Sequence, residues 1–182
     1  MPREPGKASE AEGDSATESE KKEEGPWDET DVLRGHLVAL QSGFMSDLTV
    51  IVEEEKFRCH TYILGVASPK LAGMLKPNQH ELQLSGVTSI NFRILLEIMY
   101  SGAAKELQTD LAKTLHIRRD ANLLQVYKAA AYCTQLLRKQ LDAQNVCSVL
   151  DEPGLMNDID LEACVKVSFD LFVGKMQLTT IL

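Results

Sequence analysis

No run in the chain approaches the roughly 18 apolar residues that a membrane-spanning helix needs. The N-terminus is acidic and serine-rich, where an export signal is basic and then apolar. The expectation is a protein with neither a span nor a signal, in a reducing compartment. Cysteine is sparse: Cys59, Cys133, Cys147 and Cys164 lie far apart without a C-x-x-C pair, which argues against a zinc site and a disulfide framework. Such cysteines serve mostly as small buried hydrophobes. Positive charge is in deficit, with 19 Lys and Arg against 27 Asp and Glu, a net charge of −8. Because phosphate affinity is built from Lys and Arg, direct nucleic-acid binding is not expected. Aromatics are 5 % of the chain, so packing should be mainly aliphatic. There is no phosphate-cradling glycine loop, no zinc spacing and no Ser-His-Asp signature. Cys59 and His60, adjacent along a strand, point to opposite faces and cannot form a nucleophile–base pair. The chain reads as a non-enzyme without a cofactor.

What is present fits one ordinary domain, a tail and a partial second unit within 182 residues. In residues 1–26, eight acids face four bases and no large apolar residue follows Met1. That segment cannot bury enough surface to offset ordering and reads as a disordered acidic tail. A solvated leader is the plain reading and a docking segment the alternative. Thr30 or Asp31 can cap a helix with apolar positions Val32, Leu33, Leu37 and Leu40, ended by Ser42-Gly43. Leu48 to Val52 reads as a buried strand, Glu53 to Lys56 as a solvated reversal and Phe57 to His60 as a returning strand. Tyr62, Ile63 and Val66, then Leu71, Met74 and Leu75, give two short helices separated at Ser68-Pro69. Leu82 and Leu84 alternate into a third strand. Ser89 can cap a helix with an apolar face of Phe92, Leu95, Leu96 and Met99.

Further helices are expected from Leu111 to Ile117 and, in one continuous periodicity, from Leu123 to Leu141. His116, Arg118, Arg119 and Asp120 read as a solvated charged face. Beyond Asn145, Cys147 and Leu150 begin a helix that Glu152-Pro153-Gly154 interrupts. A second helix follows, with Leu161, Cys164, Val165, Ser168, Phe169 and Phe172 along one side. Two such helices cannot bury both faces alone, so they must pack back on the domain or remain loose.

Asp47, Phe57-x-x-His60, Ala67-Ser68-Pro69, Leu82-x-Leu84-x-Gly86-Val87, Phe92 and Ile98-Met99-Tyr100-Ser101-Gly102 form a spaced series that resembles the BTB/POZ domain. A weaker similarity to the BACK segment of kelch-like proteins follows, with a kelch-like junction at Lys139-Gln140-Leu141-Asp142-x-x-Asn145. The resemblance implies an α+β fold: a small mixed sheet capped by a cluster of short α-helices over residues 30–142, then a partial BACK-like helical extension over 145–182. It also implies a homodimer in which the first helix packs on a second copy, with Leu33, Leu37 and Leu40 as the dimer contacts. Packing of that helix on its own domain is the alternative. Asp47 and His60 form the family framework. Taken by themselves, Asp47 is a local hydrogen-bond acceptor, and His60 caps the next helix or sits satisfied in the core.

The function implied is protein interaction, as in the front part of a kelch-like substrate adaptor of a cullin-3 RING ubiquitin ligase. Met74, Leu75, Glu81 and Tyr100 are the candidate cullin contacts. Two departures bear on this. Thr61 stands where transcriptional repressors of the family carry a basic residue, and Lys76 to His80 is shorter than the usual cullin-docking loop. The alternative is a BTB scaffold or transcriptional regulator that does not bind cullin and pairs with longer BTB proteins. A channel-type tetramerisation domain fits the Asp47/His60 framework less well. No internal repeat follows, so kelch blades are absent and a short isoform, a fragment or a stand-alone dimerisation protein is expected. Self, cullin-3 and other BTB proteins are the expected partners; the expected location is cytoplasmic, with the nucleus as a second compartment.

Overall fold

The computed structural model describes residues 29–142, 145–146, 149, 162–163, 165–170 and 173. The acidic tail and the Glu152-Pro153-Gly154 interruption lie outside the described residues.

Helix α1 spans Glu29–Ser42 and leads into a hairpin of β1 (Leu48–Val52) and β2 (Glu55–Cys59). The strands pair antiparallel, Leu48 opposite Cys59 and Val52 opposite Glu55. Glu53 takes a positive φ of 55° in the two-residue connection, the backbone twist that such tight hairpins require. Strand β3 (Glu81–Leu84) joins the other edge of β1 in parallel, giving the order β2-β1-β3 and the small mixed sheet of an α+β fold. Strand period decides which face is covered. Leu48, Val50, Val52, Phe57, Cys59, Leu82 and Leu84 are all buried, so one face of the sheet forms the floor of the core.

Helix α4 (Ser89–Ser101) fills that floor, and its Phe92 ring meets Phe57 edge-on with centroids 5.3 Å apart. Thr88, not Ser89, is its cap: the Asn91 N–H donates to Thr88 Oγ1 at 3.3 Å. The Ser89 N–H donates instead to the Glu53 carboxylate at 3.0 Å, so the hairpin turn satisfies a second orphan donor of the helix. At the other end Gly102 adopts φ 80° and closes the helix in the left-handed form.

Helices α2 (Thr61–Ala67) and α3 (Pro69–Met74) meet at Ser68. The inward face of α2 differs from the expected one: Leu64 is fully buried, while Tyr62 and Val66 are 79 % and 69 % exposed. Seven residues make barely two turns, too few for a repeating pattern to fix the phase. Ser68 itself has no exposed surface. Its hydroxyl oxygen accepts from the Leu71 N–H at 2.9 Å, and the hydroxyl donates to the Leu124 carbonyl at 2.6 Å. Lys70 adds a bond to the Leu123 carbonyl at 2.7 Å. The junction of α2 and α3 is thereby pinned to the turn between α5 (Leu111–Leu123) and α6 (Tyr127–Gln140).

That turn breaks the single periodicity expected from Leu123 to Leu141. Gln125 takes φ 56°, the helix phase is reset, and Leu123 and Tyr127 emerge exposed. The charged cluster is also divided. His116 and Arg119 face solvent as expected, but Arg118 is only 3 % exposed and Asp120 is buried. Helix α5 packs against both α4 and α6, so its covered arc is wide enough to include polar positions. A buried charge persists only where it is hydrogen-bonded. Arg118 Nε–H donates to Thr134 Oγ1 at 2.7 Å, and Asn91 Nδ2–H donates to Asp120 Oδ2 at 2.6 Å.

A second apolar cluster joins Leu115 and Leu137 to Val146, Val149 and Val165. Val165 lies within a helical stretch, residues 165–170, and is almost fully buried. Of the two outcomes open to the C-terminal segment, packing back on the domain is the one observed at these residues. Cys147, Cys164 and Phe172 lie outside the described residues.

Ser68→Ala removes a cap and leaves the Leu124 carbonyl without its donor, and is expected to destabilise the fold by about 2 kcal/mol. Urea unfolding checks this, with the exposed Ser85→Ala as a control expected within about 0.5 kcal/mol of the parent. Val165→Asp places a charge in the second cluster. Hydrogen exchange should then accelerate at residues 162–170, while amides of β1 keep their protection.

Candidate interaction surface

Three polar residues of the domain come together where α1, the hairpin and α4 converge. Asp47 precedes β1, His60 follows β2 and Tyr100 ends the buried run of α4. The Asp47 carboxylate accepts from the Thr61 N–H at 2.7 Å. It therefore supplies the side-chain cap of α2, whereas His60 occupies the cap position and makes no side-chain cap bond. Burial opposes the charge on Asp47, but the Thr61 backbone and hydroxyl bonds prevail and hold its carboxyl below the ordinary value.

The His60 backbone N–H donates to Tyr100 Oη at 2.9 Å. Its ring Nε2 lies 2.8 Å from the Phe44 carbonyl, which can only accept, so Nε2 carries the proton. Nδ1 is then the acceptor for the Tyr100 hydroxyl, 2.8 Å away. This network assigns one tautomer to His60 and ties the α1–β1 loop through the imidazole to α4. Burial pushes the Tyr100 phenol upward, reinforced by the neighbouring Cys59. Burial likewise pushes the thiols of Cys59 and Cys133 up to about 12. Both stay protonated near neutral pH, and a protonated thiol is a poor nucleophile. The frame is suited to holding backbone in place.

Tyr100, expected at a partner surface, is 1 % exposed with its hydroxyl turned inward to His60. Its role is corrected to an internal strut, because nearly all of its surface lies within the core. Met74 and Leu75 are half-buried against that core, while Glu81 is exposed on β3. Between them, Lys76 to His80 forms a tight turn with Asn78 at φ 61°. Gln79 braces it: its N–H donates to the Lys76 carbonyl at 3.2 Å, its Oε1 accepts from the Lys76 N–H at 2.9 Å, and its Nε2–H donates to the Glu81 carbonyl at 2.7 Å.

Helix α1 lies against α4. Leu40 packs on the core and Leu37 is half-buried, so the expected stripe is turned largely toward its own domain. Leu33 remains exposed, together with Val32 and with Val38 at 56 %. Phe44 and Met45, in the loop after α1, are exposed as well, and the sequence reading missed both along with Val38. The available signal for the loop pair was two large apolar residues directly after the Ser42-Gly43 helix stop.

A cleft of about 500 Å³ opens between α1, β2 and α4, with Leu37 and Leu40 on one wall and Phe57 and Leu96 beneath. Lys56, Arg58 and Arg93 line it, with Glu97 as its acid. Burial and the nearby Glu106 raise the Glu97 carboxyl. Arg58 lies across the end of α1, its guanidinium 2.8 to 2.9 Å from where a Cβ on Gly43 would sit, and Gly43 itself has φ 67°. A side chain there would be strained by the backbone and crowded by the arginine.

The sequence pattern of the BTB/POZ domain matches residues 38–141. Human Kelch repeat and BTB domain-containing protein 12 is 28 % identical over 110 residues, covering 58 % of this chain and 17 % of that protein. Kelch-like protein 36 of Rattus norvegicus is 26 % identical over 134 residues, 71 % of this chain and 21 % of its own length. The chain thus spans about a fifth of these relatives. Among solved structures, the BTB domain of zebrafish PATZ1 aligns with a TM-score of 0.52 at 18 % identity, covering 60 % of this chain and 91 % of that one. The BTB domain of human gigaxonin aligns at 0.51 and 20 %, covering 59 % and 89 %. The matched pattern covers more than half of the sequence, and the mixed sheet with its helices has the same fold: the chain belongs to the BTB/POZ domain family, a family of protein-interaction modules.

Proposed function

We propose that this protein is an assembly module: a homodimer, built through α1, that acts as the front part of a kelch-like substrate adaptor of a cullin-3 RING ubiquitin ligase. The observation that carries the dimer is the apolar surface left on α1. Val32, Leu33 and Val38 are exposed on a helix that is already packed on its own domain. Leu33 continues the line of Leu37 and Leu40 along the helix, and Val32 and Val38 flank it about 100° or more around the axis; exposed apolar surface of this kind is what a two-fold interface covers. A dimer would present two copies of any weak partner site, and avidity follows from that pairing. Kelch-like relatives support the adaptor reading, with Met74, Leu75 and Glu81 as the remaining candidate cullin contacts and residues 145–182 as a partial BACK-like extension. The proposed location is cytoplasmic, with the nucleus as a second compartment.

One observation favours a second reading. The Lys76 to His80 turn is closed on its own Gln79, and Tyr100 is withdrawn into the core. A dimer that lacks an extended docking loop would pair with longer BTB proteins and lower their ligase activity without binding cullin itself. Thr61 weighs against a repressor-type charged pocket in either case.

Two measurements test these readings. Leu33→Asp with Val38→Asp places charges on exposed positions, so the fold should persist by circular dichroism while sedimentation mass falls from dimer to monomer at about 10 µM, a concentration at which specific homodimers remain associated. An unchanged dimeric mass would remove α1 as the interface. Calorimetric titration of the wild-type protein with the N-terminal region of cullin-3 should saturate at one cullin per chain if it is an adaptor. A dimer that gives no heat at high concentration decides for the pairing module.

A further inference from the structure

The cleft between α1, β2 and α4 plays no part in the polar frame of Asp47, His60 and Tyr100. Its floor is apolar, and its rim carries Lys56, Arg58 and Arg93 with Glu97, Arg93 being already paired with the Glu55 carboxylate beside the cleft. Lys56 and Arg58, neither in an ion pair among the described residues, leave the rim with an excess of positive charge in a chain whose net charge is −8. The complementary charge lies just upstream in the sequence. Glu18, Glu20, Glu23 and Glu24 crowd seven positions of the leader, beside Lys21 and Lys22.

We propose that this cleft is a docking groove for an acidic segment, and that its occupant is this chain's own leader, Glu18 to Glu24. Reach is sufficient. The leader joins α1 at Glu29, and the cleft lies beside the second half of that helix, from Leu37 onward. Eight residues at 1.5 Å rise place Leu37 about 12 Å along the axis. An extended chain spans about 3.3 Å per residue, so Glu24 lies up to about 16 Å from Glu29 and Glu18 up to about 36 Å. Arg58, against Gly43, lies about 21 Å along the axis, so folding back along α1 brings Glu18 and Glu20 within range of it, while Glu23 and Glu24 reach the near end of the cleft at Leu37. Trp27 is only two residues from the helix and cannot follow them into the cleft of the same chain.

The leader carries no large apolar residue that could fill the floor. Its hold is accordingly electrostatic, reversible and salt-sensitive, since exposed charges are screened over about 10 Å at 0.1 M salt and about 3 Å at 1 M. A docked leader neutralises the rim and occludes the cleft. Any other protein presenting an acidic segment must then displace it, which makes the leader an internal competitor for this surface.

Lys21 and Lys22 provide the readout, because trypsin cuts after them only when the segment is free. Initial cleavage there, followed by mass spectrometry on the full chain, is compared with a free peptide of residues 1–28 under the same conditions. Docking predicts cleavage about threefold or more slower in the protein, because cleavage tracks the open population. Lys56→Glu, an exposed strand position, should return the rate to that of the peptide, as should 1 M salt, with the fold checked by circular dichroism. A leader variant, Glu20→Gln with Glu23→Gln and Glu24→Gln, leaves the folded part untouched and should lose its protection relative to its own matching peptide. Equal rates in protein and peptide would overturn the proposal. Protection that grows with protein concentration would overturn it too, by showing that a second copy fills the cleft.

Discussion

Helix α4 is buried over most of its circumference, and that constrains everything around it. Phe92, Ile94, Leu95, Leu96, Ile98 and Tyr100 are all buried and spread over roughly two-thirds of the circumference, leaving Ile90, Arg93 and Glu97 on the remaining arc. A helix apolar over so wide an arc must be covered on several sides. The sheet covers one side through Phe57, while α1, α2, α5 and α6 pack on the others. A three-stranded sheet of four- and five-residue strands could not stand alone, because it has too little apolar area to offset chain ordering. The sheet and the short helices are therefore held by the same buried rod. Its ends carry the polar fixings: Thr88 and Glu53 at the N-terminus, Tyr100 and Gly102 at the C-terminus.

The elements legible in the sequence were those whose pattern runs long enough to fix a phase or is set by strand alternation. Leu48 to Val52 is a β-branched apolar run, Phe57 to His60 and Leu82 to Leu84 alternate, and the reversal expected over Glu53 to Lys56 is tightened to Glu53-Glu54, with β2 beginning at Glu55. The misread positions share a cause. Tyr62 and Val66 sit on a helix of seven residues, where one buried leucine, Leu64, outweighs any periodicity. Leu123 and Tyr127 belong to a continuous apolar pattern that a positive φ at Gln125 divides. Arg118 and Asp120 lie on a helix with two packing partners, so charged residues are drawn into the covered arc and satisfied there by Thr134 and Asn91. None of these outcomes depends on local propensity. Each is set by which neighbour arrives on the far side.

The candidate site was legible as a set of residues and less so as a set of roles. Asp47, His60 and Tyr100 were all singled out, and the structure brings all three together. Asp47 is the local acceptor expected and His60 sits satisfied at the cap position of α2, whereas Tyr100 alone changes role, to a buried donor and acceptor. A hydroxyl that both accepts from a backbone N–H and donates to an imidazole has its hydrogen-bonding capacity committed. It can fix a loop but has no proton free for a substrate. The exposed apolar residues Phe44 and Met45 lie on the loop that this linkage holds, so the polar frame determines how that surface is presented.

Helix α1 has two occupations, and they are physically coupled. It supplies Leu37 and Leu40 to the cleft wall and leaves Val32, Leu33 and Val38 exposed. An isolated helix of 14 residues is marginal in water, so its persistence depends on what it packs against. On one side that support is α4 and the edge of the core, reinforced at the helix end by Arg58 lying over Gly43. If a second copy covers the exposed residues, the helix gains support there as well, and by mass action whatever binds the paired state also firms the cleft wall. Linkage runs equally in the opposite direction: an acidic segment seated against Lys56 and Arg58 would steady the same helix from within and favour pairing. The two surfaces share one wall only a helix diameter thick, about 10 Å. Substitutions on α1 therefore report on both surfaces at once, whereas substitutions on β2, across the cleft, separate them.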